Sequence, residues 1–529
     1  MTPEKAEDNA KFTGRQLWRH SAHAADRSLY GWLKIGVVQV LSAIEETRLR
    51  VSKSTETKKK SRLGQFLTPE KTAQFMAGLF SPVINSNCRL LDAGAGIGSL
   101  SSAFLERCLS GDINFASIEL TAFELDDSLH EELRRSLSRY TNQIPLNCKI
   151  IGGNFIETAV NRIQFLQNDF THAILNPPYK KINSNSSNRL LLRQVGIETV
   201  NLYSAFVALA LSLMAPSGQI VAIIPRSFCN GPYYRPFRDF VLERAAIRHM
   251  HLFGSRNKAF KDDKVLQENI IIRLERGGQQ RQVTVSTSTD DSFADLTTYE
   301  YPFNRIVLPD DPGRFIHVPT SPGKNTIELS QAIRYSLADL GIQVSTGPVV
   351  DFRLKEYLSD MPEPGTVPLL YPSHFRRNGI EWPKAGMKKP NAILRNGNTE
   401  KWLYPNGTYC VVRRFSSKEE KRRIVASVVD PASFSDAPMI GFENHLNVFH
   451  NNKHGLTKSL ANGLAVFLNT TAVDENFRRF NGHTQVNATD LKQMKYPSRK
   501  ALIKFGEWAM RNGALTQTKI DEMLGKLTA

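Results

Sequence analysis

Cysteine is scarce in this chain and follows no pattern. Five residues in 529, Cys88, Cys108, Cys148, Cys229 and Cys410, are scattered and never form C-x-x-C. That excludes a disulfide framework and gives no zinc site. His450 and His454 stand four apart with no carboxylate or cysteine beside them, so no metal is expected. Long apolar runs are missing too. The longest, residues 202–225, breaks at Pro216-Ser217-Gly218 and reads as helix, turn and strand, not as a membrane span. The chain does not open with a signal-peptide core, and a cytoplasmic protein without a membrane partner is expected. Repeats and long low-complexity tracts are absent. Acidic residues fall short of basic ones, 51 against 68, for a net charge of +17. Such a balance means either a solvated basic surface or a polyanion partner bound in a salt-dependent way. An apolar content of 41% supports large cores rather than disorder. The length calls for two or three domains.

Four segments follow from composition. Residues 1–61 read as a helical N-terminal extension and basic linker. Its apolar stripe runs through Leu29, Trp32, Leu33, Val37, Val40, Leu41 and Ile44, and a polar connector from Val51 to Arg62 holds Lys58-Lys59-Lys60. Residues 62–277 alternate short apolar runs with helical stretches, the mark of an α/β doubly wound sheet. The expected strands are Arg89–Ala93, Thr121–Leu125, Lys149–Gly152, Thr171–Leu175, Gln219–Ile224, Ile247–Phe253 and Asn269–Leu274, with helices at Leu129–Tyr140, Leu202–Leu213 and Tyr234–Glu243. Residues 278–330, rich in Ser, Thr, Asp and Pro, read as a connector. Residues 331–529 form a separate C-terminal domain with basic pairs at Arg376-Arg377, Lys388-Lys389, Arg413-Arg414 and Arg478-Arg479, and a triplet at Lys421-Arg422-Arg423.

Chemistry concentrates at the strand ends of the second segment. The first strand runs into Asp92-Ala93-Gly94-Ala95-Gly96-Ile97-Gly98. Glycines there permit a sharp turn and close approach of a ligand, and an acidic strand tip suits a cationic group better than a pyrophosphate. The second strand ends at Glu124, a natural partner for a ribose diol, with Asp126 and Asp127 equally readable as helix caps. The third ends at Gly153-Asn154-Phe155, where Asn154 could meet an adenine amine and Phe155 pack beside it, or where Asn154 simply caps a helix over a core Phe155. The fourth ends at Asn176-Pro177-Pro178-Tyr179. Two prolines fix φ there, so an amide oxygen and a backbone carbonyl can converge on one planar amine while the ring stacks on it.

Occurring in this order, the motifs resemble those of S-adenosylmethionine (AdoMet)-dependent adenine-specific DNA methyltransferases, in the gamma class represented by the TaqI methyltransferase. The resemblance covers about residues 62–275 and includes Gly64-Gln65-Phe66-Leu67-Thr68-Pro69, Leu202-Tyr203-Ser204-Ala205-Phe206 and Ile223-Ile224-Pro225-Arg226-Ser227-Phe228. Phe228-Cys229-Asn230-Gly231 and residues 261–269 are similar to the PstI/BsuBI-type enzymes. The resemblance implies a Rossmann-like class I methyltransferase domain, a mixed and mostly parallel seven-stranded sheet, followed by a target-recognition domain. It implies that Thr68, Pro69 and Asp92 touch the methionine end of the cofactor along the Gly94 and Gly96 loop, that Glu124 holds the ribose, and that Asn154 and Phe155 hold the adenine. Relatives often have Asp in place of Asn154. Asn176 and the Pro177 carbonyl would accept protons from the target amine, Tyr179 would stack on a flipped base, and Phe260 would form a second aromatic wall. The partner would be double-stranded DNA, carrying a short palindrome such as CTGCAG, bound by a monomer. A cognate restriction endonuclease would be a functional rather than physical partner in a bacterial or archaeal cell.

Three other readings stay open. The same loop can hold a protein glutamine amide, or an RNA base, and a basic nucleic-acid-binding protein can carry a degenerate methylase fold. A cytosine-ring enzyme is excluded, because Cys229 follows Phe228 and not a proline. The basic C-terminal residues are expected to serve mostly as phosphate anchors.

Overall fold

The structure, a computed structural model, describes residues 38–54, 66–82, 86–254, 268–309, 311–320, 326–376, 379–513 and 515–528. Phe260, the lysine triplet 58–60 and the stripe residues from Leu29 to Val37 lie outside the described residues.

The N-terminal stripe folds as helix α1 (Val38–Ser54), which buries Leu41 and Ile44 against Ile97 and Leu129. The connector expected from Val51 begins later, because Val51 falls seven residues after Ile44 and packs on the same cluster. Helix α1 thus backs the glycine loop.

Strand and helix then alternate: α2 (Glu70–Gly78), β1 (Ser86–Ala93), α3 (Ser99–Leu109), β2 (Phe115–Glu124), α4 (His130–Ser138), β3 (Leu146–Gly152), α5 (Phe155–Gln164), β4 (Phe170–Leu175), α6 (Ser187–Gln194), α7 (Leu202–Leu213), β5 (Met214–Pro225), α8 (Arg235–Arg244), β6 (Ala245–Phe253) and β7 (Asn269–Arg276). Each of the seven expected strands and three expected helices is present within a few residues. The central strands are covered on both faces, so they read as continuous apolar runs: Val221, Ala222 and Ile223 are all fully buried. The spatial order is β3-β2-β1-β4-β5-β7-β6, with β1 to β5 parallel and β7 antiparallel to both neighbours. Winding reverses between β1 and β4.

The sheet has nine strands, not seven. β8 (Val283–Ser288) pairs parallel with β6, and β9 (Thr297–Tyr301) returns antiparallel along it. Both lie in the stretch expected to be a connector. Their Ser and Thr content hid them: Val283 and Val285 point into the core, while β9 at the edge is exposed at four of its five positions. Among the described residues no helix is long and apolar enough to cross a membrane.

The C-terminal half has its own core. An antiparallel sheet of Gln343–Thr346, Leu446–His450, Tyr409–Arg413 and Ala426–Val429 contributes to one apolar cluster with helices Lys458–Leu468 and Arg499–Asn512. The two helices touch backbone to backbone, since a Cβ added at Gly506 would lie 1.7 Å from the Ser459 carbonyl oxygen.

Candidate active site

The carboxyl ends of β1 and β4, where winding reverses, bound the crevice in which open α/β sheets take ligands. From β1, Gly94, Gly96 and Gly98 turn the chain with φ of +87°, +58° and +87°. The Gly94 and Ala95 amides both donate to the Phe123 carbonyl, at 2.8 and 2.9 Å, which ties the loop to the end of β2. A Cβ on Gly96 would come 2.7 Å from Leu67 Cδ2. The left-handed backbone favours glycine there, while the contact falls on the end of the Leu67 side chain.

A cavity of about 260 Å³ opens on this loop, and Thr68, Gly94, Gly96, Glu124, Asn154, Phe155 and Asn176 all line it. Pro69, Asp92 and Pro177 are not in its wall. Pro69 stands at the start of α2, with its carbonyl accepting from the Ala73 amide at 2.9 Å. Asp92 is fully buried: Oδ2 accepts from Ser101 Oγ at 2.5 Å, and Oδ1 has no partner among the described residues. Burial pushes the Asp92 carboxyl up to about 7, against the pull of Ser101 and with Glu124 raising it further. Glu124 accepts from the Gly96 amide at 2.7 Å and the Asp126 amide at 2.8 Å. Burial still raises its carboxyl above the usual range.

Asn154 is the helix cap that its position allows, and it also lines the cavity. Its Oδ1 caps α5 by accepting from the Ile156 amide at 3.1 Å, while Nδ2 donates to Asn188 Oδ1 at 2.9 Å across the cavity wall. Phe155 is packed edge-on against Phe123 at 5.0 Å and tilted against Phe206 at 4.9 Å. Leu67 and Phe206, both within the motifs of the resemblance, also line the wall. Asn188 and Phe123 join them without a sequence signal of their own, since an amphipathic helix or a buried strand explains each equally well.

Asn176 is oriented by its neighbours. Nδ2 donates to the Phe66 carbonyl at 2.8 Å and to Thr68 Oγ1 at 2.9 Å, and two acceptors on that side leave Oδ1 as the amide's acceptor. The Tyr179 hydroxyl lies 3.2 Å from Asn176 Oδ1 and 3.3 Å from the Ile223 carbonyl. Burial holds the Tyr179 phenol above its ordinary pKa, so it stays a donor. Asn176 and Pro178 face the small cavity, and Tyr179 faces a second, larger recess.

That recess, about 1330 Å³, lies between the two halves of the chain. Tyr179, Lys181, Tyr203, Ser227, Tyr233 and Tyr234 line it from one side, Arg414, Lys418, His483 and Gln485 from the other. A buried charged cluster joins the halves beside it. Glu268 pairs with Arg226 Nη1 at 2.5 Å and with Lys418 Nζ at 3.0 Å, and Arg226 Nη2 also donates to the carbonyls of Arg478 and Arg479. Several basic residues expected on phosphates are therefore structural. Arg423 is 1% exposed and donates to Asn481 and His483, Arg479 pairs with Glu328, and Arg478 pairs with Asp474. Clustered arginines in a sequence do not reveal which carboxylates and carbonyls the fold brings to them.

The Eco57I restriction-modification methylase family matches residues 42–260. The type II methyltransferase M.BsuBI of Bacillus subtilis is 55% identical over 499 residues, covering 93% of this chain and 98% of that protein. M.PstI of Providencia stuartii, also a type II methyltransferase, is 42% identical over 499 residues, 91% of this chain and 96% of its own length. The chain belongs to the type II restriction–modification methyltransferases. Its activity is DNA methylation within such a system, with AdoMet as methyl donor. Over 218 residues, 39% of the chain, it is also 27% identical to 84% of a tRNA1(Val) (adenine(37)-N6)-methyltransferase of Shewanella woodyi.

For a type II methyltransferase the small cavity has the right chemistry to hold AdoMet. It offers aromatic rings for an adenine, a carboxylate for a diol, and bare backbone at Gly94 and Gly96 that a ligand can approach closely. The unpartnered Asp92 Oδ1 is a buried acceptor behind it, of the kind that a cationic amino group satisfies. Gly96→Ala is expected to weaken AdoMet binding about ten-fold or more, from strain of about 1–3 kcal/mol plus the contact with Leu67. Calorimetric titration reads this directly, and unchanged affinity would place the cofactor elsewhere.

Proposed function

We propose that this type II methyltransferase methylates the 6-amino nitrogen of an adenine flipped out of duplex DNA, protecting that DNA from a cognate restriction endonuclease. The observation that carries this reading is the position of the Asn176–Tyr179 loop between two recesses, one suited to AdoMet and one open to the basic C-terminal half. Thr68, Glu124 and Asn154 with Phe155 hold the cofactor, and Asp92 acts on its cationic end from behind the wall. When bound, AdoMet supplies an electrophilic sulfonium methyl.

Adenine's amine is a poor nucleophile, because its lone pair is delocalised into the ring. Asn176 Oδ1 and the Pro177 carbonyl would accept hydrogen bonds from its two N–H groups and draw the nitrogen toward tetrahedral geometry. They would stabilise the positive charge that develops as the N–CH3 bond forms and the S–CH3 bond breaks, one N–H proton then passing to solvent. Fixing the amine in line with the methyl supplies much of the remaining acceleration. Tyr179 stacks on the flipped base, worth about 1–3 kcal/mol, and Phe260 is the proposed second wall. Likeness of the catalytic half to a tRNA adenine-N6 enzyme supports the atom methylated. Full-length likeness to type II enzymes supports duplex DNA over RNA or protein.

The test is transfer from labelled AdoMet to plasmid DNA, followed by modification-sensitive sequencing. The expected product is N6-methyladenine within one short palindrome. Transfer to RNA or protein, with none to duplex DNA, overturns the reading.

A further inference from the structure

Tyr233 lines the large recess yet is 76% exposed, an unusual position for a ring among buried tyrosines. Among the described residues nothing bonds or stacks against it. Its backbone, in contrast, is firmly held. Gly231 turns the chain at φ +79°, where a Cβ would come 3.3 Å from His483 Nε2, and Pro232 opens the short turn Pro232–Tyr234. The next residue is anchored: the Tyr234 hydroxyl accepts from Asn201 Nδ2 at 2.7 Å and from Ser227 Oγ at 3.3 Å. Underneath, the fully buried Arg238 donates to the carbonyls of Phe228, Asn230 and Gly231, each at 3.0 Å, and to that of Gly313 at 2.7 Å. A guanidinium whose bonds go to loop carbonyls stiffens the loop that presents Tyr233.

The neighbouring rings give a direction. Tyr179 meets Tyr203 edge-on at 6.4 Å and Tyr203 stacks on Tyr234 at 6.1 Å, while Tyr233, the residue before Tyr234, stands outside these ring contacts as the exposed tyrosine of the recess. It therefore belongs to the rim, where a duplex would lie, and not to the pocket around the catalytic loop. Lys181 and Arg414 line the same recess and favour a phosphate backbone there.

We propose that Tyr233 is a positioning residue that enters the base stack where the target adenine leaves it and stacks on the orphaned partner base. This rests on the base-flipping reading above. Extrusion costs the stacking and pairing of one base, and a rigid ring filling the gap recovers part of that while blocking the adenine's return.

The experiment uses full-length protein and a duplex in which 2-aminopurine replaces the adenine mapped by sequencing. Wild-type enzyme should raise its fluorescence on binding. Tyr233→Ala is expected to lose most of that rise and about ten-fold or more in methylation of ordinary duplex, with AdoMet affinity unchanged. Tyr233→Phe, which keeps the ring, should retain the rise. An abasic site opposite the target leaves no partner base to part from, so it should bring Tyr233→Ala close to wild-type turnover. No fluorescence rise with wild-type enzyme sinks the flipping reading itself. A wild-type rise that Tyr233→Ala reproduces sinks only the role of Tyr233. Loss without rescue by the abasic site also overturns the proposal, since it marks an ordinary DNA contact.

Discussion

Asn176→Ala is expected to lower kcat by about 10²–10³-fold, the loss found when one preorganised partner of a developing charge is removed. The motif by itself suggests that cofactor binding would be spared. The geometry says otherwise. The Asn176 amide donates to the Phe66 carbonyl and to Thr68 Oγ1, and both of those residues line the cavity proposed for AdoMet. Truncation leaves two acceptors unpaired and loosens that wall, so AdoMet affinity should fall several-fold as well. Asn176→Asp separates the two effects. An ionised carboxylate keeps acceptors for the amine but cannot donate to Phe66 or Thr68, so it should lose cofactor affinity while retaining more of kcat than alanine does. Single-turnover methylation at saturating AdoMet, beside a cofactor titration, reads both quantities. Wild-type kcat in the alanine variant would falsify the assignment of this loop.

The catalytic half was legible because its signals are local. A parallel strand buried on both faces must be an apolar run, and a ligand site at a switch point must sit on the residue following that run. Asp92, Glu124, Asn154 and Asn176 all stand at or beside such strand ends; the last three line the small cavity, whereas Asp92 sits behind its wall, bonded to Ser101. Strands β8 and β9 were not legible, because β8 is built largely of Ser and Thr and β9 is an exposed edge, so neither carries enough apolar residues to stand out from a loop. Roles of the C-terminal arginines were hidden for a different reason. Arg423 meets Asn481 and His483 across about sixty residues, and Arg226 meets Arg479 across about two hundred and fifty, so no local spacing reports either contact. Proximity in space, not in sequence, decides whether an arginine is a phosphate anchor or a structural clamp.

The clamp at Glu268 carries the other large effect. Its side chain is 5% exposed, and it neutralises Arg226, at 3%, and Lys418, at 23%. Burial alone would push the Glu268 carboxyl up, but the two cations outweigh it and hold it at about 2. With the folded value below the ordinary 4.5, the stabilisation is complete above about pH 4.5 and is lost as pH falls toward 2. Glu268→Gln is expected to cost about 3–5 kcal/mol at neutral pH, because it leaves two charges facing each other out of water. In addition, it should remove this acid-dependent step from a urea-unfolding series taken across pH 3 to 7. Lys418→Met should cost less, since Arg226 still meets Glu268, and a double-mutant cycle isolates the coupling. An unchanged unfolding midpoint in Glu268→Gln would show that the cluster does not hold the halves together. Because Glu268 and Lys418 also line the large recess, a weakened clamp should raise KM for DNA more than it lowers kcat. The loop bearing Asn176 keeps its bonds to Phe66 and Thr68, whereas the far wall of the recess, with Arg414, His483 and Gln485, loses the contact that sets its distance.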